Sequence, residues 1–364
     1  MSGSSRRRVV ALLDKIVQEA LGIERGFEAH LEPRICVVGC GGAGSNSVHR
    51  LSRIGLEGVH TIAINTDRFH LERTTSEKRL LIGDHETCGY GTGGNASIGA
   101  RVAYESMDKI EALVRDYDIV FITAGMGGGT GTGTAPVVAE AARKHGAIAV
   151  ALVTIPFDIE KSRLNTAFTG IAKLRERAHS TIILDNNRLL EMVPKLPVEQ
   201  AFMVMDQLIA EVIKGVTDTI CQTGMINLDF ADFRTMMLHG GASTVLYGES
   251  EDAEKVVMEA LNNPLLDADF EGAAGALIHI TGGPSLTLKK AYNVFNGITS
   301  ELSDSAYIKL GARIDEHFGD KIKLMAIVTG LRSLQNAGSS GRLLEVDELG
   351  GQCSSQFPFG DALG

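Results

Sequence analysis

From Gly125 to Pro136 the chain reads Gly-Met-Gly-Gly-Gly-Thr-Gly-Thr-Gly-Thr-Ala-Pro, six glycines and three threonines in twelve residues. The chemistry open to such a run is anion binding. Glycine permits positive φ and lets backbone N–H groups approach a phosphate without a Cβ in the way, and a following helix aims unpaired N–H groups at the same spot. Threonine hydroxyls add donors, and a Cβ at Gly131 would stand where a phosphate needs backbone. A flexible linker shares the composition but not the setting: the apolar run Ile119–Ile122 enters the stretch and the helix-compatible Val137–Ala142 leaves it, predicting strand, loop and helix.

Two more glycine clusters sit upstream. Gly39-Cys40-Gly41-Gly42-Ala43-Gly44-Ser45-Asn46 turns from the short apolar strand Arg34–Val38 into a helix carrying Val48, Leu51 and Ile54. By pattern alone this is G-x-G-x-x-G, the fingerprint of dinucleotide enzymes, and it supports a rival reading as an NAD(P)- or FAD-dependent oxidoreductase. The strand Thr61–Ile64 ends in Asn65-Thr66-Asp67, where Asp67 imitates the ribose-binding acid of that rival, so this turn separates nothing. Gly89-Tyr90-Gly91-Thr92-Gly93-Gly94-Asn95-Ala96 does separate the readings, because a further glycine loop has no task in a dinucleotide fold.

Gly127–Gly133 reads GGGTGTG, and with its flanks the run resembles the tubulin and FtsZ superfamily, in particular the FtsZ family of archaeal type. The likeness extends over roughly residues 34 to 332, with several motifs in the family's order. It implies a tubulin/FtsZ-like α/β nucleotide-binding domain with a mainly parallel sheet, a long central helix and a second α+β domain. The implied boundaries are an N-terminal helical extension over 1–33, a GTP-binding domain over 34–197, the central helix over 198–222, an activation domain over 223–332 and a tail over 333–364.

The resemblance implies site residues too. Gly41, Gly42, Ala43, Gly44, Ser45 and Asn46 form its first nucleotide loop, Asn65 its second, and Gly93 and Gly94 its γ-phosphate-sensing third. Gly127, Gly128, Gly129, Thr130, Gly131, Thr132 and Gly133 form the phosphate loop. Glu160 and Arg163 would contact sugar and phosphates, although this chain is one residue shorter between them than the family pattern. Asp206 would read the guanine edge. Asn227, Asp229 and Asp232 match the family's catalytic loop; without the resemblance the two acids read as N-cap and first-turn acid of a helix over Phe233–Leu238.

By the same resemblance the chain would bind GTP and GDP, with Mg²⁺ held through the phosphates and no dedicated protein metal site. It would hydrolyse GTP on assembling head to tail as a homopolymer that organises the division ring, with membrane-tethering division proteins as further partners through the tail. A filament protein that binds nucleotide without hydrolysing it is the other rival.

The elements that must hold these residues are legible from periodicity. Val198–Cys221 carries Phe202, Met205, Ile209, Val212, Ile213, Val216 and Ile220 in one stripe, predicting a helix of roughly 35 Å. Ala147–Ile155 is a continuous apolar run suited to a strand covered on both faces. Beyond it Thr181–Leu184 reads as a strand, Ala253–Leu261 as a helix, and Ala276–Thr281, Tyr307–Ala312 and Lys323–Thr329 as strands.

Composition sets the bounds. The 364 residues are 44% hydrophobic, enough for two cores, and 42 of them are glycine, above the usual share of about 7%. A net charge of −10 argues against nucleic acid as a partner. Five scattered cysteines without a C-x-x-C pair read as reduced thiols, and the apolar segment Val9–Leu13 meets Asp14 and Lys15 too soon for a signal peptide. The expectation is a cytoplasmic protein acting at the division site with no transmembrane insertion.

Overall fold

The computed structural model describes residues 33–56, 58–188, 197–221, 229–238, 242–262, 273–303 and 306–331. The expected N-terminal helix, the tail and Asn227 lie outside these. Ten strands form one sheet, β1 (Ile35–Cys40), β2 (Val59–Asn65), β3 (Lys78–Leu81), β4 (Ile119–Gly125), β5 (Ile148–Ile155), β6 (Ser180–Asp185), β7 (Ala242–Ser250), β8 (Gly275–Gly282), β9 (Tyr307–Ile314) and β10 (Ile322–Leu331), in the order β3-β2-β1-β4-β5-β6-β7-β10-β8-β9. The six strands β1 to β6 are parallel, so their carboxyl ends line one edge, where ligands of open α/β sheets bind. Dinucleotide-binding folds share the order 3-2-1-4-5-6, so strand order alone does not exclude that rival.

The apolar strands are buried on both faces because helices cover both. Ile35 and Val37 of β1 face one cluster, with Val48 and Leu51 of α1 (Gly41–Ile54); Cys36, Val38 and Cys40 face the other. Helices α2 (Arg68–Arg73), α3 (Asp84–Thr87), α4 (Ala96–Glu105), α5 (Met107–Val114), α6 (Thr130–Lys144) and α7 (Lys161–Arg177) complete this part. Helix α8 (Val198–Cys221) has the predicted bounds, and its stripe Met205, Ile209, Val212, Ile213 and Val216 is buried. Phe202 departs from that stripe at 46% exposure; its ring stands 5.8 Å from that of Phe157. Beyond α8 come α9 (Phe230–Leu238), α10 (Ala253–Leu261) and α11 (Leu288–Thr299).

Two elements go beyond the sequence reading, and one expectation needs correction. β7 lies in polar text, Ala-Ser-Thr-Val-Leu-Tyr-Gly-Glu-Ser, where periodicity gives no strand; it forms because it pairs along its length with β10. The stretch that holds Arg163 is the first turn of α7, not a loop. The phosphate loop is shorter than its glycines suggest, since α6 begins at Thr130 and takes in the second half of GGGTGTG; α1 likewise starts at Gly41, directly off β1.

Candidate functional site

Two adjoining cavities open at the carboxyl edge of the parallel strands, one of about 340 Å³ and one of about 660 Å³. They share Gly42, Ala43, His70, Gly125 and Arg163, so they form one cleft with two ends. The larger end is walled by Asn65, Asp67, Gly93, Gly94 and Gly127 to Gly131; the smaller reaches Asn46, Glu160, Asn186, Phe202 and Asp206. Residues expected together from six separate stretches of sequence are therefore neighbours. Gly41, Gly44, Ser45, Thr132 and Gly133 line neither end.

The glycines divide into two jobs. At Gly42, Gly93 and Gly94 an added Cβ would meet nothing within 4 Å among the described residues, leaving bare backbone towards the cleft. At Gly129 it would lie 1.9 Å from Thr92 Oγ1, at Gly44 2.3 Å from the Thr123 carbonyl and at Gly133 2.3 Å from Ala100 N. Gly44 lets α1 close on β4, Gly133 lets α6 close on α4, and Gly129 lets its loop pass the Thr92–Asn95 loop. The expectation for Gly131 is corrected in the same way, for its Cβ would press on the carbonyls of Cys40 and Gly125, each at 3.0 Å.

The threonines divide similarly. Thr130 Oγ1 lies 2.7 Å from Thr66 Oγ1 and 3.5 Å from Thr92 Oγ1, tying three loops together at the floor of the larger end. Thr132 Oγ1 is spent on accepting the Gly127 N–H at 2.9 Å, which holds the loop in its turn. Of the three threonines only Thr130 lines the cleft, so hydroxyl donation to a ligand falls to it.

Three residues that line this cleft carry a buried polar atom without a hydrogen-bond partner among the described residues: Asn65 Nδ2, His70 Nδ1 and Asn186 Oδ1. Such atoms cost free energy unless something pairs with them, so an absent polar ligand fits here. Asn65 is held rigid because its Oδ1 accepts from the N–H groups of Thr66 and Asp67, which leaves the amide nitrogen as the available end. His70 is not singled out by the sequence, while Asn186 falls in Asp185-Asn186-Asn187, a stretch that stands where the family usually has a proline before the asparagine. The legible hint for His70 was Asp67 three positions earlier, whose carboxylate caps the His70 N–H at 2.9 Å and begins α2.

Opposite them, Glu160 pairs with Arg163 and accepts from Phe157 N, while Arg163 Nε donates to the Gly127 carbonyl at 3.4 Å. Asp206 projects from α8 into the smaller end, where Ser47 Oγ donates to its Oδ1 at 2.5 Å. Burial pushes its carboxyl above the usual range, against the Ser47 hydrogen bond and the Arg50 charge, which pull it down.

Asp229 and Asp232 are not in the cleft. Asp229 Oδ1 accepts from Asp232 N at 2.7 Å, the capping geometry open to it from sequence alone. Asp232 is paired with Lys309 at 2.7 Å and accepts from the Tyr307 hydroxyl at 3.1 Å.

Comparison with known proteins decides what this architecture is. Residues 34–194 match the GTPase-domain model of the Tubulin/FtsZ family, and residues 234–332 match the C-terminal-domain model of the FtsZ family. Cell division protein FtsZ 2 of Halobacterium salinarum is 51% identical over 312 residues, covering 85% of this chain and 79% of its own length. The chain belongs to the tubulin/FtsZ family.

Cell division protein FtsZ 2 of Methanocaldococcus jannaschii is 50% identical over 308 residues, or 83% of this chain and 81% of the relative. The solved structure of an empty FtsZ dimer from M. jannaschii superposes with a TM-score of 0.78 at 41% identity, covering 92% of this chain and 99% of that one. Membership makes this chain a polymerising GTPase and ends the dinucleotide rival, whose only support was the G-x-G-x-x-G pattern. No helix among the described residues is long and apolar enough to cross a membrane.

Proposed function

We propose that GTP lies along the cleft, triphosphate in the larger end and guanine in the smaller, and that hydrolysis occurs when a second copy of this chain brings Asp229 and Asp232 to that triphosphate. The observation that carries this reading is the separation of the two half-sites. Asp206 stands in the cleft, and about 22 Å of α8 runs on from it to Cys221, before the segment that leads to Asp229. Keeping them apart has a physical reason: a carboxylate 4 Å from a phosphate charge costs roughly 4 kcal/mol at an effective dielectric of 20.

In this reading the bare backbone at Gly42, Gly93, Gly94 and Gly128 and the Asn65 amide donate to phosphate oxygens, as does the amino end of α6. Glu160 and Arg163 exchange part of their mutual pairing for sugar and phosphate. Asp206 accepts from guanine N1–H and N2–H₂, which adenine does not present. Asp67, Thr92 and Thr130 put hard oxygen donors on the phosphate end, so the site suits Mg²⁺ bound through the phosphates, which would offset their charge. Asp229 and Asp232, with Asn227, orient and polarise the attacking water, assistance typically worth about 10² to 10⁴ in rate.

Assembly is then head to tail, as a homopolymer serving the division ring in the cytoplasm, with residues 333–364 the segment for membrane-tethering division proteins. The test is phosphate release per subunit across a dilution series, with gel filtration at each point. The specific rate should climb with concentration and vanish at monomer. A rate that stays constant down to monomer would place the water-activating groups within one chain.

A further inference from the structure

Helix α1 begins in the first nucleotide loop and, less than two turns later, touches the residue assigned to the base. Ser47, only 2% exposed, has two acceptors within reach, the Ala43 carbonyl at 3.3 Å and Asp206 Oδ1 at 2.5 Å. A hydroxyl has one proton, and the shorter bond to a charged acceptor takes it. One turn on, Arg50 Nε donates to Gln207 Oε1 at 3.3 Å, so the same face of α1 grips two successive residues of α8.

We propose that Ser47 is a positioning residue for base recognition: its hydroxyl holds one oxygen of Asp206, so that the carboxylate presents its remaining acceptor capacity to the purine. The inference rests on the reading of Asp206 as the guanine acceptor. Without Ser47 the carboxylate loses its orienting bond and is left buried beside a side chain that cannot donate. A protonated acid is a donor and cannot accept from both N1–H and N2–H₂.

A pH signature follows from this geometry. Burial already raises the Asp206 carboxyl while Ser47 and Arg50 lower it, so removing Ser47 moves protonation to still higher pH. Other titratable or charged groups around it are His49 and Arg53 of α1, Glu211 of α8, Asp185 at the end of β6, and His70, Glu160 and Arg163 across the cleft. All of them persist in a Ser47 variant, so a difference between two profiles isolates Asp206.

The experiment is calorimetric titration of the full chain with GDP and with ADP from about pH 4 to about pH 8, a window that reaches the ordinary carboxylate range and covers the imidazole range. Ser47→Ala should bind GDP about tenfold more weakly while ADP binding is unchanged, as expected for a weakened hydrogen bond to a charged group. Its acid loss of GDP affinity should begin at higher pH than in the parent, and Ser47→Thr, which keeps the hydroxyl, should restore both properties. Parent-like GDP affinity and pH profile in Ser47→Ala would overturn the inference, as would equal losses for GDP and ADP, the mark of general damage. Asp206→Ala separates the two levels. If it abolishes GDP-over-ADP preference while Ser47→Ala does not, only the role of Ser47 fails; if it leaves the preference intact, the reading of Asp206 fails and the role of Ser47 with it.

Discussion

Asn65 and Asp232 are both polar side chains beside turns, yet the first keeps a buried amide nitrogen with no partner and the second holds both Lys309 and Tyr307. The contrast extends to their surroundings. The cleft carries further unmet atoms on His70 and Asn186, whereas Asp229 is engaged in capping α9. Buried polar atoms without a protein partner suit a site that pairs them with a ligand. Satisfied carboxylates are the state of a surface that is stable alone and becomes chemical only on contact. In the reading proposed above, one end of the molecule serves a nucleotide and the other a neighbouring subunit.

The sharpest way to break this comparison is to disable the two ends on different molecules. Asp229→Ala should keep GTP affinity and lose turnover by about 10² to 10⁴. Asp206→Ala should fail by weak GTP binding instead. An equimolar mixture should recover part of the activity, because an interface pairing the sound cleft of one with the sound carboxylates of the other is complete. Phosphate release from the mixture no greater than the mean of the separate proteins would mean that the two ends do not meet across an interface.

The next largest effect distinguishes the two kinds of glycine. Gly133→Ala should lower unfolding stability by about 2 to 3 kcal/mol, since its Cβ would stand 2.3 Å from Ala100 N and 2.5 Å from the Ala96 carbonyl. Gly42→Ala, in open space, should leave the denaturation midpoint unchanged and weaken GTP binding. Urea titrations paired with GTP titrations check both, and the reverse assignment of effects would undo the division.

His279 sharpens the comparison from the other side, as an unmet polar group that no cleft explains. Both its ring nitrogens lack partners among the described residues, and burial, with the charges of Arg313 and Lys323, lowers its pKa from 6.5 to about 4. The folded pKa is depressed, so the unfolded chain takes up the proton first. The neutral ring's contribution is full above pH 6.5 and declines as pH falls towards 4. His279→Leu should reduce the acid-side loss by on the order of 2 kcal/mol. His179 is shifted the same way and the buried acids Asp185, Asp206 and Asp218 the opposite way, so the quantity to measure is the parent-minus-variant difference in unfolding free energy across that range. Parallel curves for the two proteins would remove His279 from the pH response.

Much of this was legible in the chain because local pattern and tertiary role coincide. Val198–Cys221 folds as a helix because its apolar residues recur at helical spacing, and the motif loops fall at strand ends because the strands before them are apolar runs. What stayed hidden depends on partners distant in sequence. β7 is a strand because of β10, Gly129 must be glycine because of Thr92, and Asp232 is tied by Tyr307, 75 positions away. No local reading of Gly-Gly-Gly-Thr-Gly-Thr-Gly tells which glycine faces a ligand and which faces another helix.

The sheet is continuous, but β6 and β7 are registered at only two positions, Thr181 with Ala242 and Ile182 with Ser243, beside one hydroxyl bond from Ser180 to Ser243. Neighbouring β5–β6 and β7–β10 ladders are far longer. What chiefly joins the two sides is an apolar cluster in which Ile209, Val212, Ile213 and Val216 of α8 lie with Leu184 on one side and Val245, Leu277 and Ile327 on the other. Ladder bonds are directional and resist sliding, while apolar contact is not and tolerates small displacements. The seam is therefore held chiefly by non-directional apolar packing on α8, whereas each half of the sheet is held by continuous directional ladders.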